Sequence, residues 1–167
     1  MSTAETWDSY KPTLKLVLNN FSLNRCFEWG VGMSTKTISE HPAVNSLDSV
    51  EHNPEWFDKI ASQKLDKANL IYEPELNLYY LVQGRYDLYN FIFVDGVVRE
   101  KCLVSAKSIL EEDGIVMLHD AERVEYRPMV DEYKHKFWRD FGHTVVLTDN
   151  DIIAYRLEEM FRGVANV

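Results

Sequence analysis

Four short stretches of this chain carry residue types able to do chemistry. In Glu28-Trp29-Gly30-Val31-Gly32-Met33-Ser34-Thr35 an acid closes an apolar run and two glycines follow in a turn. Glu51, with His52 beside it, comes 21 residues after Gly30 at the end of the next apolar run. Asp95-Gly96 ends a third run and His119-Asp120 a fourth. Glycines let the backbone turn tightly and approach a ligand, and a carboxylate about 20 residues on can accept hydrogen bonds from ribose hydroxyls. The pattern is that of a nucleoside-cofactor crevice, with Glu28, Gly30, Gly32, Ser34, Thr35, Glu51, His52 and Asp95 as its expected contacts.

Charge and spacing narrow the cofactor. A dinucleotide turn carries a third glycine that lets the helix pack closely; here Thr35 follows Ser34 instead. No Gly-Lys-Ser/Thr follows a glycine, which excludes a P-loop. The acid at Glu28 would repel a pyrophosphate and attract a cation, so S-adenosylmethionine, with its ammonium and sulfonium, is favoured over a nicotinamide dinucleotide. Asp95, His119 and Asp120 are the expected catalytic residues. His119 is a general-base candidate because an imidazole titrates near neutrality. Asp95 and Asp120, on neighbouring strand ends, also form a weak candidate pair for a hard divalent metal. Arg99 and Arg123 follow the two strand ends and are candidates for binding an anionic substrate; surface ion pairs are the plainer reading of both.

Such residues need strands that end along one edge. Leu14, Val17, Leu18 and Phe21 recur at helical spacing over 12–21, and strands are expected at 25–29, 46–51, 68–72, 88–94 and 115–118. A short helix is expected at 35–40. Asn53-Pro54 starts another, Asn as N-cap and Pro at the first helical position, with Trp56, Phe57, Ile60 and Ala61 on its apolar face. A helix at 100–111 stops at Asp113-Gly114. Met129, Val130, Tyr133 and Phe137 predict a helix over 126–141, and strands at 144–147 and 152–156 are close enough to form an antiparallel hairpin. The expected fold is α/β, a three-layer Rossmann-like sandwich whose mostly parallel seven-stranded sheet ends in a C-terminal antiparallel hairpin, in one domain spanning 1–167. Tyr79, Tyr80, Tyr86 and Tyr89 read as core and rim packing, and Trp7 with Tyr10 as an N-terminal lid.

Composition bounds the partners. Hydrophobic residues make up 46% and charged ones 27%, with a formal net charge of -9. Lys134, Lys136 and Arg139, interleaved with Phe137 and Trp138, read as one helix face, and no basic run offers phosphates a path. Nucleic acid is therefore not expected, and no 18-residue apolar stretch predicts a membrane span. The first residues lack the basic and apolar regions of a signal peptide. Cys26 and Cys102 read as reduced core residues, consistent with a cytoplasmic protein. The expected partner is a small-molecule or sugar acceptor, with a homo-oligomer as a way for so small a domain to complete its site.

The chain resembles small class I S-adenosylmethionine-dependent methyltransferases. Glu28-x-Gly30-x-Gly32-x-Ser34 resembles their first motif, with Ser34 where a third glycine is usual. Ser49-Val50-Glu51-His52-Asn53 resembles the second, whose acid holds the ribose. Phe91-Ile92-Phe93-Val94-Asp95-Gly96 resembles the fourth, and Gly114-Ile115-Val116-Met117-Leu118-His119-Asp120 the glycine-led fifth strand. Catechol-type members hold a metal with an Asp after the fourth strand and an Asp-Asn pair after the fifth; here Ala121 replaces that Asn. A narrower similarity, through Val50 to Trp56, Val94-Asp95-Gly96, and His119-Asp120 with Arg123 and Glu125, is to the plant glucuronoxylan O-methyltransferases. The resemblance implies methyl transfer from S-adenosylmethionine, most simply to a hydroxyl of a small molecule or glycan. The alternatives are a non-catalytic cofactor-binding module serving a partner protein and, disfavoured by Glu28 and Thr35, a nicotinamide-dependent oxidoreductase.

Overall fold

Alternating apolar residues along each central strand bury both faces of one sheet. The computed structural model describes residues 8–164, in the order α1 (Lys11–Asn20), β1 (Arg25–Trp29), α2 (Met33–Ser39), β2 (Ser46–Glu51), α3 (Pro54–Ala61), β3 (Ala68–Tyr72), α4 (Leu76–Tyr79), β4 (Tyr89–Val94), α5 (Arg99–Ile109), β5 (Leu110–His119), α6 (Arg127–Asp131), β6 (His135–Arg139), β7 (Thr144–Thr148) and α7 (Asp151–Arg162). The seven strands lie in the order β3-β2-β1-β4-β5-β7-β6. All neighbours from β3 to β5 are parallel, and β7 runs antiparallel to both β5 and β6. This is the expected Rossmann-like α/β sandwich.

Period-2 alternation divides the core in two. Cys26, Phe91, Phe93, Ile115, Met117 and Val146 pack with α1, α2 and α7. Phe27, Trp29, Ile92, Val94, Val116, Leu118, Val145 and Leu147 pack with α5, α6 and the buried Tyr79 and Tyr89. Tyr86, in contrast, is exposed. Both cysteines are free and buried. Among the described residues no helix is long and apolar enough to cross a membrane.

Three expectations are corrected at the C-terminal end. The helix expected over 126–141 stops at Asp131, and His135–Arg139 is the edge strand β6. Lys134, Lys136 and Arg139 are therefore not a helix face. The antiparallel hairpin joins β6 to β7 rather than 144–147 to 152–156. Residues 152–156 lie inside α7, because the Asn150 side chain accepts the Ile152 and Ile153 N–H groups and caps a helix there. Helix α5 also ends at Ile109, before Asp113-Gly114. The β4–β5 register shifts between Tyr89 and Phe91, which lets 110–114 join the strand as an irregular lead-in.

Candidate functional site

The parallel strands β1, β2, β4 and β5 all end along one edge, where open α/β sheets bind ligands. A cleft of about 600 Å³ opens there, lined by residues that include Gly30, Gly32, Ser34, Glu51, His52, Asp95, Arg99, His119, Asp120 and Arg123. Ten of the sequence-derived candidates thus meet in one place.

The glycine turn is held by backbone contacts. Gly30 has φ +103°, and a Cβ there would meet Gly96 N at 2.6 Å and the Asp95 carbonyl carbon at 2.7 Å. Only glycine lets the turns after β1 and β4 lie back to back. The Gly30 N–H donates to Val50 O (2.9 Å) and the Asp95 N–H to Trp29 O (2.8 Å), stitching the three strand ends together. Gly32 has open space where a Cβ would stand. Glu51 accepts the N–H groups of Val31 (2.9 Å), His52 (2.9 Å) and Asn53 (2.7 Å). A carboxylate has about four acceptor positions, so Glu51 keeps one to offer the cleft. His52 Nδ1 lies 2.9 Å from Glu51 Oε1 but makes no hydrogen bond.

Glu28 and Thr35 stand one layer behind their expected place. Both are fully buried and neither lines the cleft. The Glu28 carboxylate accepts the hydroxyls of Ser34, Thr35 (2.6 Å) and Ser49 (2.7 Å), and Thr35 Oγ1 accepts the Gly32 N–H at 2.9 Å. Glu28 therefore shapes the turn through three hydroxyls. Its complete burial pushes its carboxyl up to about 7; the three hydroxyl bonds pull it down and the Asp95 charge adds to the rise.

The other end of the cleft is built from side chains. His119 Nδ1 lies 2.9 Å from Asp95 Oδ1. A carboxylate only accepts, so Nδ1 carries a proton, and when the ring is neutral Nε2 is the acceptor. Ser9 Oγ sits 3.1 Å from that Nε2. Burial opposes charging His119, but the Asp95 hydrogen bond and the charges of Asp95 and Asp120 outweigh it, so its pKa is raised. Asp120 adopts φ +52°, a strained conformation for a non-glycine residue.

Arg99 is not a free substrate-binding group. Its guanidinium donates to Gly96 O (2.8 Å), His119 O (2.5 Å) and Asp120 Oδ2 (2.9 Å), and lies 3.3 Å from Asp95 Oδ1. It braces the ends of β4 and β5. Arg123 is half exposed, with a long 3.4 Å contact to Asp120. The donor atoms of Asp95, His119 and Asp120 lie within 4.8 Å of one another. Arg99 already supplies the positive charge against both carboxylates, so this trio does not fit a divalent metal.

Three residues of this region carried no functional expectation or only a general one. Asp8 and Tyr10 line the cleft and Ser9 touches His119. Ser9 and His119 are 110 residues apart, and no spacing rule connects them. The lid expected from Trp7 falls outside the described residues.

No protein-family model matches the chain, and no curated protein matches it in sequence. Solved structures do match in shape. A spermidine synthase in complex with the transition-state analogue AdoDATO superposes with a TM-score of 0.69 at 11% identity, over 93% of this chain and 64% of that one. A methyltransferase-like protein from Silicibacter pomeroyi gives 0.67 at 14% identity, over 92% of both chains. The N-methyltransferase NodS from Bradyrhizobium japonicum, in complex with S-adenosylhomocysteine, gives 0.60 at 11% identity, over 84% of both. This chain thus spans 64% of the spermidine synthase's length. At such identities the likeness is one of fold, a Rossmann-like α/β fold that methyltransferases and the spermidine synthase share.

Proposed function

We propose that this protein is an S-adenosylmethionine-dependent methyltransferase that acts on a hydroxyl of a small molecule or sugar. The observation that carries the reading is the Asp95–His119 pair, 2.9 Å apart, in the same cleft as the glycine turn and Glu51. The lining fits the cofactor: the open space over Gly32 admits a ligand against the backbone, and Glu51 keeps an acceptor position for a ribose hydroxyl. When bound, S-adenosylmethionine supplies an electrophilic methyl group on a sulfonium centre. The chain's own residues do the rest. Asp95 holds His119 in the tautomer whose Nε2 can take a proton from an acceptor hydroxyl. Arg99 fixes the carbonyl of His119 and the carboxylate of Asp120, so the ring does not wander. Holding the acceptor oxygen in line contributes as much as the base.

Calorimetry with S-adenosylhomocysteine tests the cofactor half. Wild type binds, and Glu51→Ala weakens binding by about ten- to a hundredfold, through loss of one charged acceptor. Absence of binding by wild type overturns the reading. Methyl-tritiated S-adenosylmethionine offered with a panel of sugars and hydroxylated small molecules tests the acceptor half. Label transferred only to amines moves the reaction to nitrogen. A protein that binds the cofactor and labels nothing in any acceptor class is the non-catalytic module.

A further inference from the structure

In the proposed reaction the acceptor hydroxyl must reach Nε2 of His119, and in this structure another hydroxyl is already there. Ser9 Oγ lies 3.1 Å from Nε2. Residues 8–10 form the turn before α1, closed by the Lys11 N–H to Asp8 O bond at 3.0 Å and tied by Lys11 Nζ to the Asp8 carboxylate at 2.7 Å. Tyr10 anchors that turn. It is buried, its ring centroid is 5.0 Å from that of Phe93, and it meets the His119 ring edge-on at 5.0 Å. Its hydroxyl lies beside Ser34 of the glycine turn. Ser9 is only half-buried and Asp8 is exposed, so these two can leave while Tyr10 stays.

We propose that Ser9 marks the acceptor-oxygen position and that residues 8 and 9 cap the site until an alcohol displaces them. The inference rests on the reading above. Nε2 has a single lone pair, so Ser9 and an acceptor hydroxyl compete for one atom. The occupant seen is an uncharged alcohol on a one-carbon stem, which defines the ligand class the position accepts. A carboxylate has no proton to give the neutral ring's Nε2. The cap also keeps His119 almost fully enclosed, at 4% exposure, which shields the base from water until the acceptor arrives.

Carbethoxylation by diethyl pyrocarbonate, read peptide by peptide by mass spectrometry, measures access to Nε2 without knowing the acceptor. The more exposed His143 serves as internal reference. In wild type His119 reacts slowly. Ser9→Ala should speed its reaction about fivefold relative to His143, the worth of one neutral hydrogen bond, and Ser9→Thr, which keeps a hydroxyl, should not. Ethylene glycol at molar concentration should restore protection to Ser9→Ala by supplying the missing hydroxyl, and acetonitrile should not. An unaltered His119 rate in Ser9→Ala overturns the cap. Failure of the glycol to protect overturns the acceptor-oxygen assignment. S-adenosylhomocysteine binding, measured on the same samples, separates these failures from that of the cofactor reading: retained binding beside either result leaves the reading standing, and lost binding in wild type removes it whatever His119 does.

Discussion

The two ends of the cleft are built by opposite means. At the cofactor end, Gly30, Gly32 and Glu51 act through backbone N–H groups and the absence of side chains, and the fully buried Glu28 is taken up by three hydroxyls. At the acceptor end, Asp95, His119, Asp120, Arg99 and Ser9 hold one another through side chains from four separate segments, with strained backbone at Asp120. Backbone contacts fix a shape and leave little to tune. A charged side-chain network fixes a protonation state and can be re-aimed one residue at a time. In the proposed reaction the first suits the cofactor, which never varies, and the second an acceptor that does.

If the cofactor end depends on backbone shape, its crowded glycine, Gly30, should be the most sensitive position in the cleft. Gly30→Ala combines φ +103° with three backbone contacts under 3.0 Å, so it should destabilise the fold by about 3 kcal/mol or more in urea denaturation. Because two of the crowded atoms belong to Asp95, the damage should cross to the acceptor end and change His119 reactivity too. Gly32→Ala is the control. Its Cβ meets nothing and its φ of -177° is ordinary extended backbone, so stability should change by less than about 0.5 kcal/mol while S-adenosylhomocysteine affinity falls. Equal stability losses at both glycines would break the comparison.

A smaller effect separates the ends by their titrating groups. Glu28 is raised because burial disfavours its charge; His119 is raised because its partners favour its charge. Both folded values exceed the unfolded ones, so both contributions are complete below the unfolded pKa and are lost as pH rises through the folded one. For Glu28 that window runs from the ordinary value of 4.5 to about 7. Glu28→Gln cannot ionise. Its stability relative to wild type should therefore rise between pH 4.5 and 8, by up to about 3 kcal/mol, the His119 part being common to both proteins and cancelling. A difference that stays flat over that range would show that Glu28 ionises without penalty.

The same contrast decides what was legible in the sequence. The glycine turn and Glu51 come from two neighbouring β–α units, so their spacing is a local property, and strands at 25–29, 46–51 and 68–72 lie where alternation and turn residues place them. The acceptor end needs contacts that no spacing encodes: Ser9 with His119, and Arg99 with Asp120. The charge argument puts Glu28 in the right turn but does not reveal that Ser34, Thr35 and Ser49 converge on it. The departure from expectation at the C-terminal end has a physical cause as well. β6 is an edge strand, mostly half-buried, so its apolar residues do not alternate cleanly, and Met129 to Phe137 mimics a helical stripe. For α7 a local signal was present. Asn150 and Asp151 form an N-cap and acidic first turn, and Ile153, Ala154, Leu157 and Phe161 keep helical spacing; against these stands the strand propensity of the β-branched pair Ile152-Ile153.

The smallest effect is expected at Arg123, and it tests whether the acceptor network extends beyond its buried members. Arg99 and Arg123 both touch Asp120, yet Arg99 is 11% exposed with four partners while Arg123 is 52% exposed, at 3.4 Å from that carboxylate. An ion pair so open to water is worth little, so Arg123→Ala should change unfolding stability by less than about 0.5 kcal/mol. It should also leave S-adenosylhomocysteine affinity unchanged, since nothing at the glycine turn touches it. What it should change is discrimination among acceptors. A guanidinium at the cleft rim attracts a carboxylate, so transfer to uronate-like hydroxyl acceptors should fall relative to neutral sugars. Equal loss for charged and neutral acceptors would instead make Arg123 part of the brace that holds Asp120, and the boundary between the fixed and the tunable end of the cleft would move outward by one residue.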